Sequence, residues 1–595
     1  MTYKAPVDDI IDTLNTVVGL PELMSKGVYD GLDSDTVRAI LEEAGRFASD
    51  VLEPLNRHGD TVGVKLVDGK VVTPEGWPDA YKQFCESGWN ALPGPEAYGG
   101  QGLPEVVSVA VTEIWNAANI AFSLCPLLTQ GAFTSLMQYG SDELKNLYLP
   151  KIVSGVWPGT MNLTEPHAGS DIGHIKTRAE RQPDGTYKIF GTKIYITYGD
   201  HDLSENIIHS VLARCDDAPA GTGGISFFLV PKYLVNPDGS LGARNDVVTA
   251  GLENKLGIHA SPTCTLKYGE NGGAIGYLVG EENRGLNIMF LMMNAARLAC
   301  RLQGVAIADR ATQHAIAYAH DRPQGRGPNA APGEMSPIIS HTDVRRTIMT
   351  MKSLTQASRA ICLVTAREID LMHRGETAEV REKAGALSAL LTPVAKAFST
   401  DAAVEVASMG IQVHGGMGFI EEAGAAQYYR DARILPIYEG TNGIQAIDLV
   451  TRKLQLGDGA ILQSYIEELR EITDQVKAAN RVEFGLMGQR LDDAVLALSD
   501  ASDYMIAQLE TNEQAVLTGA SQYLRLFGLT AGGAYLAKSA LAAIRKSEGD
   551  TATLAPVITA RFFAEHLLTA APAHSQSVIT GTDVVSAITP ELLSA

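Results

Sequence analysis

The periodicity of the sequence changes twice, and this limits the possible folds more than any other feature. From about residue 35 to about 150, apolar residues recur at helical spacing, as in Thr36–Leu52, which predicts a helix with one buried face. We expect Pro54 to end that helix. From Met161 to about residue 280, short β-branched runs alternate with turn residues, and helical spacing returns at Gly285. This order predicts an α+β fold rather than a βαβ alternation.

The middle segment predicts a compact all-β region of about 120 residues, because several short strand-like runs are separated by turns. Tyr187–Thr197 follows the turn residues 183–185, which read Pro-Asp-Gly. Gly224–Val230 and Thr263–Tyr268 have a similar β-rich composition, and the Asn-Gly-Gly at 271–273 predicts a further turn.

The last three hundred residues predict helices interrupted by one long loop. The loop covers residues 322–340, which are rich in Gly and Pro. A domain boundary is expected after Leu456, where Leu-Gly-Asp-Gly stands. Beyond it, five apolar residues share one helical face: Leu462, Ile466, Leu469, Ile472 and Val476. Leu529–Ile544 is the most apolar run, but Lys538 and several small residues favour a packed helix over a membrane span.

Charge and cysteine usage exclude some functions and favour one compartment. The net charge of −21 argues against a general nucleic-acid binder, which needs clustered Lys and Arg. The start of the chain has no basic stretch followed by an apolar one, so we expect no signal peptide. The six cysteines are scattered without a CxxC pair or metal-ligand spacing, so we expect reduced thiols, no metal site and a cytoplasmic protein.

Four short segments carry a resemblance to a known family. They are Met161–Lys176, Lys193–Thr197, Gln412–Phe419 and Arg430–Gln445. Each alone is moderately specific, but their order along a helical, β and helical layout is a strong signal. On these segments the chain resembles the acyl-CoA dehydrogenase family over roughly residues 35–455.

The resemblance and the periodicity together predict an α+β multidomain fold. An N-terminal extension over 1–34 is followed by an N-terminal helical domain over 35–158. A middle β-barrel domain covers 159–280, and a C-terminal four-helix-bundle domain covers 281–455. An additional C-terminal helical domain covers 456–595.

Glu439 is the predicted catalytic residue. It stands where the apolar Ile437 and Tyr438 meet the small-residue turn Gly440-Thr441, a setting that can desolvate a carboxylate and strengthen it as a base. With 69 acidic residues in the chain, most carboxylates are surface charges. The resemblance implies that Glu439 is the base that removes the α-proton of an acyl-CoA thioester while flavin N5 accepts the β-hydride.

The resemblance also implies FAD as cofactor and a set of residues that bind it. The loop at the start of the first segment would lie against the flavin, and Tyr195, on one face with Thr197, would replace the usual Trp that shields it. The glycine loop after Gln412 would contact the adenosine–pyrophosphate end of the neighbouring subunit's FAD. The implied residues are Met161, Leu163, Thr164, Tyr195, Thr197, Arg322, Gln412, Gly415, Gly416, Thr441, Asn442 and Gly443.

The chain departs from the family after Arg322. The family continues Arg-x-x-Phe-Gly, whereas this chain has Pro323, Gln324 and Gly325. The aromatic residue expected against the adenine is therefore absent from its usual place. Arg322 itself matches the family's pyrophosphate-binding cation.

For the substrate, the resemblance implies contacts from Ser170, Asn294, Arg297 and Gly440. The product would be a trans-2-enoyl-CoA, and an electron-transferring flavoprotein would accept the electrons. The long C-terminal extension resembles larger bacterial members, which implies a homodimer, with a tetramer as the alternative. Among their substrates is 3-(methylthio)propanoyl-CoA; straight or branched fatty acyl-CoA stays open, as does an acyl-CoA oxidase. The alternative outside this class is a non-catalytic helical binding protein.

Overall fold

The computed structural model describes residues 3–29, 31–328, 330–546 and 554–594, without the side chains of residues 294, 295, 546 and 583. The chain forms two compact units. We call the first the bundle unit; it contains residues 1–45, 105–117 and 300–595. We call the second the barrel unit; it contains residues 46–104 and 118–299.

All strands of the described chain lie in the barrel unit. They are β1 Lys65–Val67, β2 Lys70–Val72, β3 Gly159–Asn162, β4 Arg178–Arg181, β5 Tyr187–Thr197, β6 Ile208–Cys215, β7 Ser226–Pro231, β8 Tyr233–Val235, β9 Leu241–Arg244, β10 Val247–Leu252, β11 Thr263–Tyr268 and β12 Ala274–Leu278. The bounds of β5 and β11 are those predicted from their β-branched runs and flanking turns.

Five strands close into a barrel. Strand β5 pairs with β12, β12 with β7, β7 with β6, β6 with β4, and β4 returns to β5. Only the β4–β6 pair in this ring is parallel, and β3 adds to β6 in parallel. Residues such as Ile189, Val211 and Phe228 fill one core of the unit, as expected for strands that bury alternate side chains.

Helices make up the rest of the fold. They are α1 Val7–Thr13, α2 Leu20–Ser25, α3 Ser34–Phe47, α4 Glu53–Val62, α5 Trp77–Glu86, α6 Glu105–Ala118, α7 Ile120–Tyr139, α8 Asp142–Val153, α9 Gly285–Asp321, α10 Thr342–Arg374, α11 Ala378–His414, α12 Ala425–Ala432, α13 Asn442–Asp448, α14 Ala460–Ala479, α15 Met487–Leu509, α16 Glu513–Lys546, α17 Ala555–His566, α18 Ala571–Thr580, α19 Thr582–Ser586 and α20 Pro590–Leu593. The predicted α+β class with a β region between helical regions is confirmed.

In the bundle unit, α10 packs against both α11 and α16. A buried guanidinium ties three helices of this unit together, because Arg359 donates to Glu113 at 2.7 Å and to Asp309 at 3.1 Å. The apolar face predicted for α14 is buried from Leu462 to Val476. These long helices position the turn that carries Glu439.

Two local predictions in residues 35–150 were wrong. Pro54 does not stop the helical path, because a π-helical turn covers Ala48–Leu52 and α4 begins at Glu53 with Pro54 in its first turn. Proline is tolerated there because the hydrogen-bond pattern is already interrupted by the π-helical turn, whose last bond runs from the Glu53 N–H to the Ala48 carbonyl. The hairpin β1–β2 was also not expected; it turns at Asp68 and Gly69, which have φ of 50° and 73°.

Among the helices of the described residues, two are long and apolar enough to cross a membrane, α7 and the main part of α16. Of their most apolar windows, 83% and 78% of the residues are buried within the fold. Core helices have this property, and the burial of Leu529–Leu541 agrees with the packed helix predicted there.

Candidate active site

The residues predicted to bind cofactor and substrate fall in both units. In the bundle unit, Glu439 lies on the turn that precedes α13. It is half-buried, and its φ of 57° places it in the left-handed region. A residue with a Cβ is strained there by about 1 kcal/mol. Strain of this kind at a residue other than Gly is typical of functional sites.

Side chains of the bundle unit hold the turn from two directions. Gln445 donates from Nε2 to the Glu439 carbonyl at 3.2 Å. Lys396, which is fully buried in α11, donates from Nζ to the Gly440 carbonyl at 2.9 Å and to Asn442 Oδ1 at 2.9 Å. Neither Gln445 nor Lys396 was predicted. Lys396 lies 44 positions from Gly440, and no pattern in the sequence marks the nearer Gln445 as a support for the turn.

The residue before Glu439 is anchored as well. The Tyr438 hydroxyl donates to Gln303 Oε1, and Gln303 Nε2 donates to Asn116 Oδ1 at 3.2 Å. Burial, helped by Cys300 and Glu439, raises the pKa of Tyr438 well above its usual range, so the phenol stays protonated as a donor. The backbone is thus fixed on both sides of Glu439.

The side chains of Thr441 and Asn442, two residues predicted to bind the cofactor, are hydrogen-bonded within the protein. Thr441 caps α13, with its Oγ1 accepting from the Ile444 N–H at 3.2 Å. The Asn442 amide donates to Asp401 at 2.7 Å and to Thr400 at 3.0 Å, in addition to accepting from Lys396. Because that amide is used within the protein, any cofactor contact at residues 442–443 must come mainly from the backbone.

The glycine loop begins where α11 ends at His414. Gly415 has φ of 58° and ψ of −139°, so it differs from the left-handed conformation common at helix ends and suits only glycine, and both Gly415 and Gly416 are exposed with open space where a side chain would project. Gln412 is exposed on the last turn of the helix, and the Phe419 side chain is 87% exposed. Backbone so uncovered suits the close approach of a ligand.

Arg322 directly follows α9 and is exposed. Gly325 stands where the family has its aromatic residue, and its φ is 68°. A Cβ added there would lie 3.5 Å from the imidazole of His341, whose Nε2 is 2.7 Å from the Gln324 carbonyl. A flat ring is therefore present next to this position, contributed by the residue before α10.

In the barrel unit, the predicted flavin loop runs from β3 towards Glu165. Met161 is half-buried and Leu163 is buried. The Thr164 carbonyl accepts from the Ile194 N–H at 2.9 Å, which joins the loop to β5. The carbonyl oxygens of residues 163 and 164 are thus engaged, and Thr164 keeps its side chain for a ligand.

A buried ion pair fixes this loop. Glu165 Oε1 accepts from Lys193 Nζ at 2.8 Å, and Lys193 also donates to the Leu163 carbonyl at 3.0 Å. Burial alone would raise the pKa of Glu165, but Lys193 and the hydrogen bonds from Lys176 and Thr177 outweigh it and lower that pKa. Neither Glu165 nor Lys193 was assigned a role from sequence, although a Lys within a β-rich run is unusual enough to signal one.

Tyr195 lies on a β-bulge of β5. Ile194 and Tyr195 face one residue of β11, since Lys193 pairs with Leu266 and Ile196 with Cys264. Tyr195 has φ of 59° and is 60% exposed, while Lys193 two residues earlier is fully buried. After the bulge, Tyr195 and Thr197 alternate with the buried Ile196, in agreement with their predicted common face.

The predicted substrate residues are less clearly grouped. Ser170 is exposed in the loop after Glu165 and Arg297 is half-buried in α9. The side chain of Asn294 lies outside the part of the chain that the structure describes. Gly440 has φ of 83°, which only glycine adopts readily.

Comparison with protein families gives four matches in chain order. An "Acyl-CoA dehydrogenase, N-terminal domain" model matches residues 34–156, and the corresponding middle-domain model matches 160–270. The "Acyl-CoA dehydrogenase, C-terminal domain" model matches 283–454, and an "Acetyl-CoA dehydrogenase C-terminal like" model matches 466–589.

Curated relatives match over nearly the whole chain. A 3-methylmercaptopropionyl-CoA dehydrogenase of Ruegeria pomeroyi is 46% identical, over 99% of this chain and 100% of its own. The broad-specificity linear acyl-CoA dehydrogenase FadE5 of Mycobacterium tuberculosis is 32% identical, over 95% of each chain.

Solved structures share the fold. ACDH-11 of Caenorhabditis elegans, in complex with C11-CoA, has a TM-score of 0.79 at 20% identity, covering 99% of this chain and 96% of its own. An acyl-CoA dehydrogenase from Bacillus anthracis, complexed with FAD, has a TM-score of 0.73 at 21% identity, covering 95% of this chain and 91% of its own.

Proposed function

This chain belongs to the acyl-CoA dehydrogenase family, and from that premise we propose how its residues divide the reaction. The enzyme is an FAD-dependent oxidoreductase that introduces an α,β double bond into an acyl-CoA thioester. We assign Glu439 as the base. The observation that carries this assignment is a half-buried carboxylate in a strained, left-handed turn whose two carbonyls are both held by side chains.

The proposed chemistry at Glu439 is a proton transfer. Its carboxylate takes the α-proton, and the electron pair of that C–H bond forms the new double bond as hydride leaves the β-carbon. Bound FAD supplies the hydride acceptor. The Glu439 backbone N–H is proposed to donate to the thioester carbonyl as negative charge develops there. The half-burial of Glu439 limits water around the carboxylate, which favours its action as a base.

Both units carry residues proposed to hold FAD. In the barrel unit, the Thr164 hydroxyl, Met161 and Leu163 would meet the flavin, with Tyr195 and Thr197 beside it. In the bundle unit, Arg322 and the exposed backbone of Gly415 and Gly416, next to Gln412, would hold the pyrophosphate end of a neighbouring subunit's FAD. Thr441, Asn442 and Gly443 would contribute mainly backbone. We propose that His341 substitutes for the missing aromatic at the adenine.

We propose 3-(methylthio)propanoyl-CoA as the substrate and the corresponding acryloyl-CoA as the product. The support is the 46% identity over full length to a relative that acts on this thioester, against 32% to the linear acyl-CoA enzyme. Ser170, Asn294, Arg297 and Gly440 are the proposed contacts to the acyl-CoA. A fatty acyl-CoA of straight or branched chain is the second candidate, because butyryl-CoA dehydrogenases of Syntrophomonas wolfei are 35% identical.

The remaining proposals concern partners and place. An electron-transferring flavoprotein is proposed as the electron acceptor, with a homodimer as the assembly and the cytoplasm as the compartment. In support of the homodimer, the glycine loop exposes the apolar Met417 and Phe419, which suit contact with a second subunit.

Anaerobic flavin bleaching tests this function. The holoenzyme is mixed without oxygen with a panel containing the methylthio thioester, butyryl-CoA and longer straight and branched acyl-CoAs. We expect the fastest loss of flavin absorbance with the methylthio compound. Rapid recovery of the absorbance in air would instead indicate an acyl-CoA oxidase, and a colourless protein with no flavin would indicate a binding protein.

A further inference from the structure

The turn at Glu439 contains two consecutive residues with positive φ, Glu439 at 57° and Gly440 at 83°. Glycine adopts this conformation without cost, but a glutamate does not. Contacts from the surrounding structure must therefore hold Glu439 in this unfavourable conformation, as they do at other strained functional residues. The side chains that do so decide where the carboxylate points.

Lys396 is the strongest of these supports. Its ammonium lies on a side chain with no exposed surface, and its two described acceptors both belong to the segment after Glu439. Hydrogen bonds from a charged donor are shorter and stronger than neutral ones. The Gly440 carbonyl is thus held by a charged and fully buried donor.

The second acceptor of Lys396 carries the attachment further along α11. Asn442 Oδ1 accepts from Lys396, while its Nδ2 donates to Thr400 Oγ1 at 3.0 Å and to Asp401 Oδ1 at 2.7 Å. Nδ2 also lies 3.3 Å from the Ala397 carbonyl. All of these partners lie in residues 396–401 of α11, so the turn is bound to one short stretch of a long, buried helix.

Gln445 completes the arrangement from α13. It is 1% exposed, and its Nε2 holds the Glu439 carbonyl at 3.2 Å. Because each peptide unit is planar, fixing the carbonyls of Glu439 and Gly440 also fixes the N–H groups of Gly440 and Thr441 on the opposite side. Two adjacent peptide planes after Glu439 are thereby set, and together with the anchored Tyr438 on the preceding side they restrict the direction of its Cα–Cβ bond.

We propose that Lys396 is a positioning residue for the reaction, acting through the Gly440 carbonyl and Asn442 to hold Glu439 in its left-handed conformation and aim its carboxylate. This inference rests on the proposed role of Glu439 as base. Lys396 itself is not proposed to contact the substrate or the cofactor. Its removal would release the turn from α11, and the carboxylate would lose its alignment with the α-carbon.

The test replaces Lys396 by Met, which keeps the length and apolar stem of the side chain and removes its ammonium. In the holoenzyme, kcat is expected to fall about a hundredfold, as a displacement of about 1 Å at the reacting atoms does. KM should change less than about threefold, because Gly440 is the one proposed substrate contact that Lys396 holds while Ser170 and Arg297 are untouched, and bound FAD should stay near one per chain. Lys396→Gln, a shorter neutral donor, should give an intermediate kcat.

Lys538→Met is the matched control. Lys538 is a half-buried lysine of the bundle unit that also donates to a carbonyl at 2.9 Å, that of Val17. Its replacement should lower thermal stability without changing kcat. If both variants lose the same fraction of turnover, Lys396 is a general stabilising residue and the inference is wrong.

Hydrogen exchange supplies a readout independent of turnover. Mass spectrometry of the holoenzymes should show faster amide exchange over residues 437–446 in Lys396→Met and Lys396→Gln, and wild-type exchange there in Lys538→Met. Unchanged exchange in both Lys396 variants would overturn the inference, and so would a kcat within about threefold of wild type. If the Met variant does not fold, the Gln variant carries the same comparison.

The failure of this inference can be told apart from failure of the base assignment. If Glu439→Gln keeps near-normal turnover, the proposed function of Glu439 fails. If Glu439→Gln is inactive while Lys396→Met turns over normally with a protected turn, only the positioning role of Lys396 fails.

Discussion

In both units a fully buried lysine holds a backbone carbonyl of a candidate site segment, but the other hydrogen-bond acceptors of the two lysines differ. In the bundle unit, the fully buried Lys396 binds the Gly440 carbonyl at 2.9 Å, next to the left-handed Glu439. In the barrel unit, the fully buried Lys193 binds the Leu163 carbonyl at 3.0 Å, and the left-handed Tyr195 follows on the same strand.

The difference lies in the group that each ammonium binds directly. Lys193 donates to the Glu165 carboxylate at 2.8 Å, whereas Lys396 donates to a backbone carbonyl and to the amide oxygen of Asn442, and its charge also acts on the nearby Asp401. Removing one member of a buried ion pair leaves an unpaired charge, which is far more costly than leaving a neutral acceptor without its donor. The flavin loop should therefore depend on Lys193 for stability, and the Glu439 turn should depend on Lys396 mainly for geometry.

The largest expected effect is on the bundle side of this comparison. Glu439→Gln keeps the size and backbone of the turn but removes the proposed base, so kcat should fall by about 10⁴-fold, as for loss of a positioned proton acceptor. FAD content and substrate-analogue binding should persist. Stopped-flow flavin reduction measures the loss. Glu422→Gln, an exposed acid of the same unit, is the control and should retain wild-type turnover.

On the barrel side, Lys193→Met should cost stability. It leaves Glu165 as a buried carboxylate without its cation, and we expect a loss of about 3–5 kcal/mol in the local stability of the loop and β5. Hydrogen exchange of residues 163–177 and 187–197 measures it. Adding Glu165→Gln should restore part of the loss, because the unpaired charge is then gone. No recovery in the double variant would contradict the ion-pair interpretation.

Acid should also lower the stability of the barrel unit, through protonation of the Glu165 carboxylate. The pKa of Glu165 is lowered in the folded protein, so its contribution to stability is present above its unfolded value and is lost as pH falls through the folded value. Thermal melting from pH 7 to pH 3 should therefore show a fall that includes the barrel unit. In Lys193→Met, the hydrogen bonds from Lys176 and Thr177 still oppose burial but the ammonium is gone, so the pKa of Glu165 should rise above its wild-type value and this part of the pH dependence should shrink.

The smallest effect concerns the strained Tyr195. With φ of 59° and a largely exposed ring, Tyr195→Gly relieves strain that Tyr195→Ala keeps. We expect the Gly variant to be more stable than the Ala variant by about 0.5–1 kcal/mol, after allowing for the greater unfolded-state freedom of glycine. Thermal shift of the two apoproteins compares them. Equal stabilities would show that the bulge, and not the side chain, sets this conformation.

Much of the fold could be predicted from local patterns. The bounds of Tyr187–Thr197 and Thr263–Tyr268 follow from β-branched runs between turn residues, and the face of α14 follows from helical spacing. The closed barrel was predicted only through the family resemblance, since closure needs the pairing of β4 with β6, whose partners such as Arg178 and Arg214 are distant in sequence. The prediction that Pro54 ends a helix was wrong because the effect of a proline depends on its position within the helix.

In the candidate site, the sequence alone singled out Glu439, and the resemblance gave it a role that stays a prediction. The sequence does not show the strained conformation of Glu439, and it does not show the β-bulge between the buried Lys193 and the exposed Tyr195. Alternation along a regular strand would have placed those two side chains on one face. Only pairing with β11 reveals the extra residue.

Local sequence is enough to specify the succession of helical and β regions and the residue types gathered in four short segments, because periodicity and turn chemistry act over a few residues. The distant side chains that hold those segments are specified only by the packed fold. Lys396 reaches Gly440 across 44 positions, and Lys193 reaches Glu165 across 28. Such contacts exist only after the helices and strands have packed, since packing brings a buried ammonium to the carbonyl that needs it.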